Sequence, residues 1–199
     1  MFSAGAFELQ RESSLLPLKA RLTLRVRGVD SEPVDICYGF VRSWIGECLI
    51  AWTEHGICWL EPQQGSRSLA ELEQTWLPAS LACSQTAADQ YARDHLVTER
   101  SDVSLHLCGT AFQLQVWSAL LRIRPGYYLH YGDLAHQIGK PGAARALGQA
   151  VGANPVSVLV PCHRVLAAGG RLGGYRWGSD LKLALLQREA SGRSANAFT

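Results

Sequence analysis

The chain has 199 residues, of which 47% are hydrophobic and 18% are charged, a composition typical of a folded globular protein with room for one domain or two small ones. Charged residues interrupt its apolar stretches before they reach the length of a transmembrane helix. The N-terminus lacks the basic start and apolar run of a secretory signal. These features predict an intracellular, cytoplasmic protein and argue against a membrane-spanning one.

The net charge of +2 is unevenly distributed along the chain. Residues 1–108 carry 9 Lys and Arg against 14 Asp and Glu, whereas residues 109–199 carry 10 against 3. A basic C-terminal half suits an anionic partner such as nucleic acid. A solvated basic surface without such a partner would give the same count, so the charge leaves both interpretations open.

The six cysteines do not form a metal-binding pattern. None belongs to a C-x-x-C pair, and no close pair of cysteines is matched by a pair of histidines. In a reducing compartment such cysteines are free thiols, and free cysteine is commonly a small buried hydrophobe. We therefore expect no structural zinc site.

The N-terminal half has the pattern of a small α/β domain. Residues 1–32 show no clear period apart from one short predicted strand, in "ARLTLRVRG", and are interpreted as a partly ordered extension. In residues 33–108, β-rich runs on both sides of "TEHG" predict two or three antiparallel strands. Helical patterns follow in "SLAELEQTWL" and "TAADQYARDHL". The prediction is an antiparallel sheet with helices.

Residues 109–192 have a different, mostly helical pattern. Thr110 and Gln113 have the spacing of a helix capping box, and the apolar stripe of "AFQLQVWSALL" follows, ended by a Pro-Gly pair. The stretch "HYGDLAHQIGKPGAARALGQAVGANP" has the outline of a helix-turn-helix. Residues 193–199 are predicted to be a frayed tail.

The second helix of this motif is made mainly of small residues. One long charged residue, Arg145, stands among them. The small residues are Ala143, Ala144, Ala146, Gly148 and Ala150. Such a surface cannot read base edges in the major groove, but it can approach a backbone or a shallow groove closely, with the arginine inserted into the base stack. A tightly packed helix pair would use the same small residues, so the helix alone does not decide.

The stretch "VLVPCHRVL" places Cys162 directly before His163. A nucleophilic thiol needs a base, and a histidine oriented by a carboxylate can supply one. Adjacent side chains on an extended segment point in opposite directions, so this pair needs a turn, which Pro161 would help to set, or a bridging water. The carboxylates of this half are Asp133, Asp180 and Glu189. Glu189 ends an amphipathic helix that can return to the thiol. The alternative is a buried Cys-His pair without a catalytic role.

Together these stretches resemble the O6-alkylguanine-DNA alkyltransferases, also called methylated-DNA–protein-cysteine methyltransferases. The resemblance covers roughly residues 37–190 and is strongest from residue 109 onward. "GTAFQLQVW" is similar to the family's entry helix, "VLVPCHRV" to its reactive-cysteine motif and "GGYRWG" to its substrate-side loop. The resemblance implies a ribonuclease H-like N-terminal α/β domain and a helical DNA-binding and alkyl-transfer domain with a winged-helix-like helix-turn-helix.

The resemblance implies catalytic roles for five residues. Cys162 would take the alkyl group from O6 of guanine, and His163, acting through a water and oriented by Glu189, would remove the thiol proton. Asn154 would brace the turn between the helix-turn-helix and the cysteine segment. Tyr131 would donate a proton or hydrogen bond to the departing guanine. Because the thioether product is stable, the protein would act once and need no cofactor.

The resemblance also implies a pocket for the target base. The loop around Tyr175 would close over the base, and backbone groups near Cys162 and Val165 would contact its edge. Lys182 would assist at Tyr131 or nearby. Arg176 and Trp177 depart from the pattern, because other members carry small residues there. Trp177 is predicted to narrow the pocket and to disfavour bulky adducts.

The implied partner is double-stranded DNA that contains O6-alkylguanine. The second helix would enter the minor groove, where small residues fit, and Arg145 would replace the extruded nucleotide in the stack. Phosphate contacts from the basic half would supply most of the affinity. We expect a monomer; whether it binds DNA cooperatively is left open.

Three alternative functions remain. A non-catalytic alkyltransferase-like protein would bind and flip the lesion, but such proteins lack the reactive cysteine, and Cys162 is present. A helix-turn-helix transcription regulator is disfavoured by the alanine-rich second helix. A cysteine hydrolase would need an oxyanion hole, which no feature of the sequence indicates.

Overall fold

The computed structural model describes residues 9–15, 20–63, 67–96 and 103–193. The described residues form two compact units, one of residues 20–114 with 155–157, and one of residues 9–15, 115–154 and 158–193. The division falls after Leu114, inside a helix, rather than after Cys108. From residue 194 onward the predicted tail lies outside the described residues, as do residues 1–8 and 16–19 of the predicted extension.

The first unit is a six-stranded mixed sheet with two helices. With strands numbered along the chain, its order is β2-β7-β5-β4-β3-β6. The strands are β2 (Arg21–Val26), β3 (Val34–Ser43), β4 (Gly46–Thr53), β5 (Gly56–Pro62), β6 (Ala79–Cys83) and β7 (Ser104–Gly109). The helices are α1 (Arg67–Thr75) and α2 (Gln85–His95). The predicted α/β character of this half is confirmed.

The prediction of an antiparallel sheet holds only for part of the sheet. The pairs β3–β4 and β4–β5 are antiparallel, but β2–β7, β5–β7 and β3–β6 are parallel. Parallel neighbours need a long crossover and leave no hairpin signature in the local sequence. The strand predicted near residue 21 is β2, so the predicted extension supplies an edge strand of this sheet.

The hairpin β4–β5 forms where the sequence predicted it. Thr53 pairs with Gly56, which leaves Glu54 and His55 as the loop. Gly56 has a φ of +130°, and a Cβ there would lie 2.2 Å from the Ser104 carbonyl oxygen. Glycine is therefore required both by the backbone conformation and by the close approach of β7.

The core of this unit lies between the sheet and α1. Every residue of β5 is buried, which fits its central position in the sheet. The core residues are Ile36, Leu49, Ala51, Cys58, Trp59, Leu72, Trp76 and Cys108. Two of the six cysteines thus act as small hydrophobes, and burial raises the pKa of a third, Cys48, to about 11.

The second unit is mostly helical and contains a small parallel sheet of order β1-β8-β9. Its strands are β1 (Gln10–Arg11), β8 (Tyr127–His130) and β9 (Val165–Leu166). Its helices are α3 (Ala111–Leu120), whose first turn belongs to the other unit, α4 (Tyr131–Gln137), α5 (Ala144–Gly152) and α6 (Ser179–Ala190). None of the helices in the described ranges has the length and apolarity needed to cross a bilayer.

Two local predictions for this half are confirmed. The Thr110 N–H donates to Gln113 Oε1 at 2.9 Å, and the Gln113 N–H donates to Thr110 Oγ1 at 3.2 Å, which is a capping box at the start of α3. The predicted helix-turn-helix is formed by α4 and α5. Trp117 fixes α3 against the second of these helices, because its indole N–H donates to the Ala150 carbonyl at 2.8 Å.

Helix α6 carries two ionisable side chains into the interior of its unit. Lys182, Leu185, Leu186 and Glu189 are all buried. Their spacing of three, four and seven residues places them on one face of the helix. Burial of the two leucines places this face of the helix in the interior, and the lysine and the glutamate therefore lie there as well.

Candidate active site

Cys162 lies in a tight turn rather than on an extended strand. It begins a single turn of 3-10 helix, Cys162–Arg164, after Pro161 with φ −81° and ψ 63°. This is inverse γ-turn geometry at Pro161, and the Cys162 N–H donates to the Val160 carbonyl at 2.8 Å. The sequence predicted that Pro161 would help to set such a turn. The cysteine is 3% exposed.

Asn154 connects the end of the helix-turn-helix to the thiol. Its side-chain amide donates to the Val160 carbonyl at 2.8 Å and to Cys162 Sγ at 3.2 Å. Burial raises the pKa of Cys162, while the amide of Asn154 and the charge of Lys182 act against that increase. The resting thiol is therefore protonated, and an amide donor is already directed at the sulfur that would become a thiolate.

His163 and Glu189 form a buried pair beside the thiol. His163 Nε2 lies 2.9 Å from Glu189 Oε1, and both side chains are fully shielded from solvent. Burial lowers the pKa of His163 although Glu189 acts to raise it, so the imidazole is neutral at rest. A neutral ring that donates Nε2–H to the carboxylate has Nδ1 as its acceptor. Nδ1 is buried and has no hydrogen-bond partner among the described residues.

Two further groups, which were not predicted from the sequence, donate hydrogen bonds to Glu189. Arg164 donates from Nη2 to Oε1 at 2.6 Å and from Nε to both oxygens, and the Gly126 N–H donates to Oε2 at 3.1 Å. Burial alone would raise the pKa of Glu189, but His163 and Arg164 outweigh it and lower the pKa to about 2. The carboxylate is therefore ionised at neutral pH. A basic residue inside an apolar stretch was the available signal for Arg164.

Lys182 is wholly buried and lies close to Tyr175. Its Nζ donates to the Val165 carbonyl at 2.7 Å and also to the Leu172 carbonyl, and it lies 5.9 Å from the centre of the Tyr175 ring. Burial lowers the pKa of Lys182 to about 8, although Cys162 acts to raise it. These contacts hold β9 and the following loop to α6.

The two tyrosines of the predicted pocket lie near the thiol. Burial, together with the neighbouring Cys162, raises the pKa of Tyr131 and raises that of Tyr175 well above its ordinary value. A Cβ at Gly173 would lie 3.9 Å from Tyr131 Cε2, so the loop that carries Tyr175 passes beside Tyr131. Both hydroxyl groups are therefore protonated at neutral pH and can act as hydrogen-bond donors.

Trp177 packs against the pocket loop from the inside. It is 6% exposed, and its ring lies 5.2 Å from that of Tyr175 in an edge-to-face arrangement at 70°. The guanidinium of Arg176 lies 5.9 Å from the Trp177 ring. The tryptophan therefore occupies volume next to Tyr175, in the loop that was predicted to close over the base.

The second helix of the helix-turn-helix exposes several of its small residues, although Ala150 is buried. Ala144, Arg145 and Ala146 are exposed, and Ala143 and Gly148 are half-buried. A Cβ at Gly148 would meet nothing within 4 Å, whereas Leu147, Ala150 and Val151 face the interior. The exposed part of this surface is open to solvent within the described residues rather than packed against another helix. It is a separate feature from the cluster around Cys162.

The described residues contain no group of three or more His, Cys, Asp or Glu side chains that could hold a metal ion. A buried thiol, an amide donor and a neutral imidazole backed by an ionised carboxylate are the components of an activated cysteine nucleophile. Fold and site together define a protein with two compact units, of which the one with the helix-turn-helix brings these components together.

Comparisons with known proteins agree with this class. Residues 36–107 match the family model described as "6-O-methylguanine DNA methyltransferase, ribonuclease-like domain", and residues 111–191 match the one described as "6-O-methylguanine DNA methyltransferase, DNA binding domain". The chain belongs to the 6-O-methylguanine DNA methyltransferase family. The predicted family and fold class are confirmed.

Curated relatives match this chain over different lengths. The bifunctional transcriptional activator/DNA repair enzyme Ada of Escherichia coli K12 is 38% identical over 165 residues, which are 80% of this chain and 47% of that protein. The methylated-DNA–protein-cysteine methyltransferase of Mycobacterium leprae is 47% identical over 116 residues, 57% of this chain and 69% of that protein. The chain thus spans about half the length of the Ada proteins it matches.

A solved structure matches over most of both chains. The crystal structure of Mycobacterium tuberculosis OGT in complex with DNA has a TM-score of 0.63 and 36% sequence identity to this protein. The match covers 82% of this chain and 97% of that chain.

Proposed function

We propose that this protein repairs DNA by direct reversal, transferring the alkyl group of O6-alkylguanine, mainly O6-methylguanine, irreversibly to Cys162. The observation that carries the proposal is the buried thiol held by Asn154 next to the His163–Glu189 pair. Relatives named as methylated-DNA–protein-cysteine methyltransferases support it. The protein would act in the cytoplasm as a single-turnover enzyme without a cofactor.

The first step is removal of the thiol proton. The proton leaves Cys162 Sγ and reaches His163 Nδ1 through a bridging water, because Nε2 is engaged by Glu189. The imidazolium that forms is stabilised by the ionised carboxylate, whose position Arg164 fixes. The Asn154 amide, 3.2 Å from the sulfur, stabilises the thiolate.

The second step is an in-line displacement at the alkyl carbon. The sulfur forms a bond to that carbon while the bond from carbon to guanine O6 breaks, and its electron pair moves into the guanine ring. Tyr131, whose raised pKa keeps its hydroxyl protonated, donates a proton or hydrogen bond to the ring as it leaves. The loop with Tyr175 closes over the base, and the carbonyl of Val165, held by Lys182, contributes to the same side of the pocket. The ring takes up one proton, and His163 gives back through water the proton that it took from the thiol. The products are then unmodified guanine, a neutral imidazole and a stable thioether.

The partner in this proposal is double-stranded DNA, bound by one protein molecule through the minor groove. The small exposed residues of α5 would allow close approach to the groove, and Arg145 would fill the space left by the extruded nucleotide. The crystal structure of the Mycobacterium tuberculosis relative with DNA supports DNA as the partner.

Intact mass spectrometry tests the activity. After incubation with a duplex containing one O6-methylguanine, the wild-type protein is expected to gain the mass of one methylene group per molecule and to restore unmodified guanine in the DNA. The Cys162→Ala variant should bind the duplex and show no mass change. Binding of the lesion by the wild type without any mass change would instead indicate a non-catalytic alkyltransferase-like protein.

Substitution of Arg145 tests the base-extrusion step. The Arg145→Ala variant is expected to repair duplex DNA about tenfold or more slowly, because extrusion of a base costs a few kcal/mol that the arginine would offset. Repair of a single-stranded oligonucleotide should be nearly unchanged. Arg193→Ala, which removes one exposed positive charge from the same unit, is the matched control. Equal loss on both substrates would contradict the assigned role.

Substitution of Trp177 tests the predicted limit on adduct size. The Trp177→Ala variant is expected to increase the rate with O6-benzylguanine relative to O6-methylguanine, because it removes a buried ring next to Tyr175. The ratio of the two rate constants is the measurement, since a loss of stability affects both equally. Arg176→Ala serves as the neighbouring control, and an unchanged ratio for Trp177→Ala would exclude a steric role.

A further inference from the structure

The segment before residue 16 is attached to the alkyl-transfer unit by backbone hydrogen bonds. The Gln10 N–H donates to the Gly126 carbonyl at 3.1 Å, and the Glu12 N–H donates to the Tyr128 carbonyl at 2.7 Å. These bonds pair β1 in parallel with β8. The sequence was interpreted here as an extension, but residues 9–15 supply a strand to the same unit that contains Cys162.

Side chains fix the same segment at both ends of β8. Glu12, whose side chain is 2% exposed, accepts two hydrogen bonds of 3.0 Å from Arg124, in the turn before β8. Arg11 donates to both carboxylate oxygens of Asp133, in the first turn of α4 after β8. An unpaired, ionised carboxylate at this buried position would destabilise the fold, so the two hydrogen bonds from Arg124 fix Glu12 in one place.

Strand β8 connects three parts of the proposed catalytic machinery. The turn before it provides the Gly126 N–H that donates to Glu189 at 3.1 Å. The helix after it begins with Tyr131. Its other edge pairs with β9, where Leu129 lies opposite Val165, directly after the Cys162 turn. Without β1, β8 and β9 would form a two-stranded sheet with two residue pairs, and such a sheet is marginal.

Gly126 is the most direct link between the segment and the site. Its carbonyl accepts from Gln10, and its N–H donates to Glu189. The side chain of Arg124 is held by Glu12, and its backbone carbonyl accepts the Tyr127 N–H at 3.1 Å, which closes the turn that contains Gly126. The Arg124 guanidinium lies 3.7 Å from the centre of the Tyr127 ring. The position of one donor to the relay carboxylate therefore depends on β1.

We infer that residues 10–12 are a positioning element for alkyl transfer, which holds the turn at Gly126 against Glu189 and the start of α4 at Tyr131. The inference rests on the proposed function, because it assigns the segment a role in that reaction. It concerns the rate of the reaction in the folded protein. A role in stability alone would change the fraction of active molecules and leave their rate constant unchanged.

A matched pair of substitutions at Gln10 separates the two roles. Gln10→Pro removes the N–H that donates to Gly126, at the first residue of a strand, where proline is tolerated. Gln10→Ala keeps that N–H. Because each molecule reacts once, a time course gives the active fraction as its amplitude and the rate constant separately. Both are measured on full-length protein with a single-stranded oligonucleotide containing O6-methylguanine.

The expected result is a rate constant about fivefold lower for Gln10→Pro, the effect of one lost hydrogen bond, with Gln10→Ala equal to the wild type. In the proline variant the turn at Gly126 is no longer held, so Glu189 loses the Gly126 N–H as a donor and its pKa rises. The acid limb of the rate–pH profile should therefore move to higher pH. Glu12→Gln should show the same two changes, whereas Glu32→Gln, at an exposed glutamate of the other unit, should show neither.

Each other outcome counts against the inference. If Gln10→Pro and Glu12→Gln react with the wild-type rate constant and pH profile, the segment has no positioning role, even if the amplitude falls. If Gln10→Ala is as slow as Gln10→Pro, the Gly126 hydrogen bond is not the cause. If the wild type transfers no methyl group, the proposed function itself fails. This result is distinct from the first two, because both of them require an active wild type.

Discussion

The Glu189→Gln variant is expected to lose alkyl transfer by a factor of about 10² to 10⁴, the range for removal of general-base assistance. Glu189 is the acceptor for His163 Nε2 and holds the imidazole in the tautomer whose Nδ1 accepts a proton. A glutamine can present its amide N–H₂ to Nε2 and favour the opposite tautomer. It also cannot stabilise the imidazolium. Single-turnover kinetics on an O6-methylguanine duplex measure this loss.

The same substitution is expected to lower the free energy of unfolding by about 3–5 kcal/mol, because it leaves Arg164 without its buried counter-charge. The pKa of Glu189 is lowered from 4.5 to about 2 in the folded protein. A carboxylate with a lowered pKa stabilises the fold above pH 4.5, and this contribution is lost as the pH falls towards 2. The stability difference between wild type and variant should therefore be largest near neutral pH and should narrow in acid.

Asp180→Asn is the control for these measurements. It removes a carboxylate from the first turn of the same helix, where the side chain is exposed. A surface carboxylate near a helix N-terminus contributes about 0.3–1 kcal/mol, and it should not change the rate of transfer. A Glu189→Gln protein that is folded and repairs DNA at the wild-type rate would show that the relay is not used.

The Asn154→Ala variant is expected to transfer the alkyl group about 10- to 100-fold more slowly. The substitution removes the only side-chain amide that donates to Cys162 Sγ among the contacts described above, and a hydrogen bond to a charged group contributes about 1.5–3 kcal/mol. Burial already raises the pKa of the thiol, and loss of the Asn154 donor raises it further. The pH dependence of alkylation by a small electrophile reports the thiol pKa directly.

Stability should change less in this variant than in Glu189→Gln. The Val160 carbonyl loses the Asn154 donor but keeps the Cys162 N–H, so we expect a loss of about 1–3 kcal/mol. Gln187→Ala, an exposed amide in the same unit, is the control. An unchanged thiol pKa in Asn154→Ala would mean that the amide acts only on the backbone of the turn.

The central residues of the site were predictable because each leaves a local mark in the sequence. Cys162 and His163 are adjacent, Pro161 favours a turn, and Glu189 lies on the apolar face of a helix near the end of the domain. The capping box of α3 and the hairpin of β4 and β5 are likewise set by residues close together in the chain. Interactions of this kind depend on short-range geometry, which spacing reveals.

The parts that were not predicted depend on contacts between distant residues. The parallel pairing of β2 with β7 joins residues near 21 to residues near 104, and β1 contributes only Gln10 and Arg11, too few for a period to be seen. The Gly126 N–H is a backbone group, which every residue except proline would supply, so the sequence does not mark it. Arg164 stands out in the sequence as a basic residue inside an apolar stretch, but its partner Glu189 lies 25 residues further along the chain.

The most direct test of the proposed function identifies which thiol carries the methyl group. Wild-type protein is reacted with a duplex containing O6-methylguanine, digested, and its cysteine peptides are analysed by mass spectrometry. The peptide with Cys162 is expected to carry one added methylene mass in nearly every molecule, while the peptides with the other five cysteines stay unmodified. An unmodified Cys162 peptide, or methylation shared among several cysteines, would contradict the assignment of Cys162 as the acceptor.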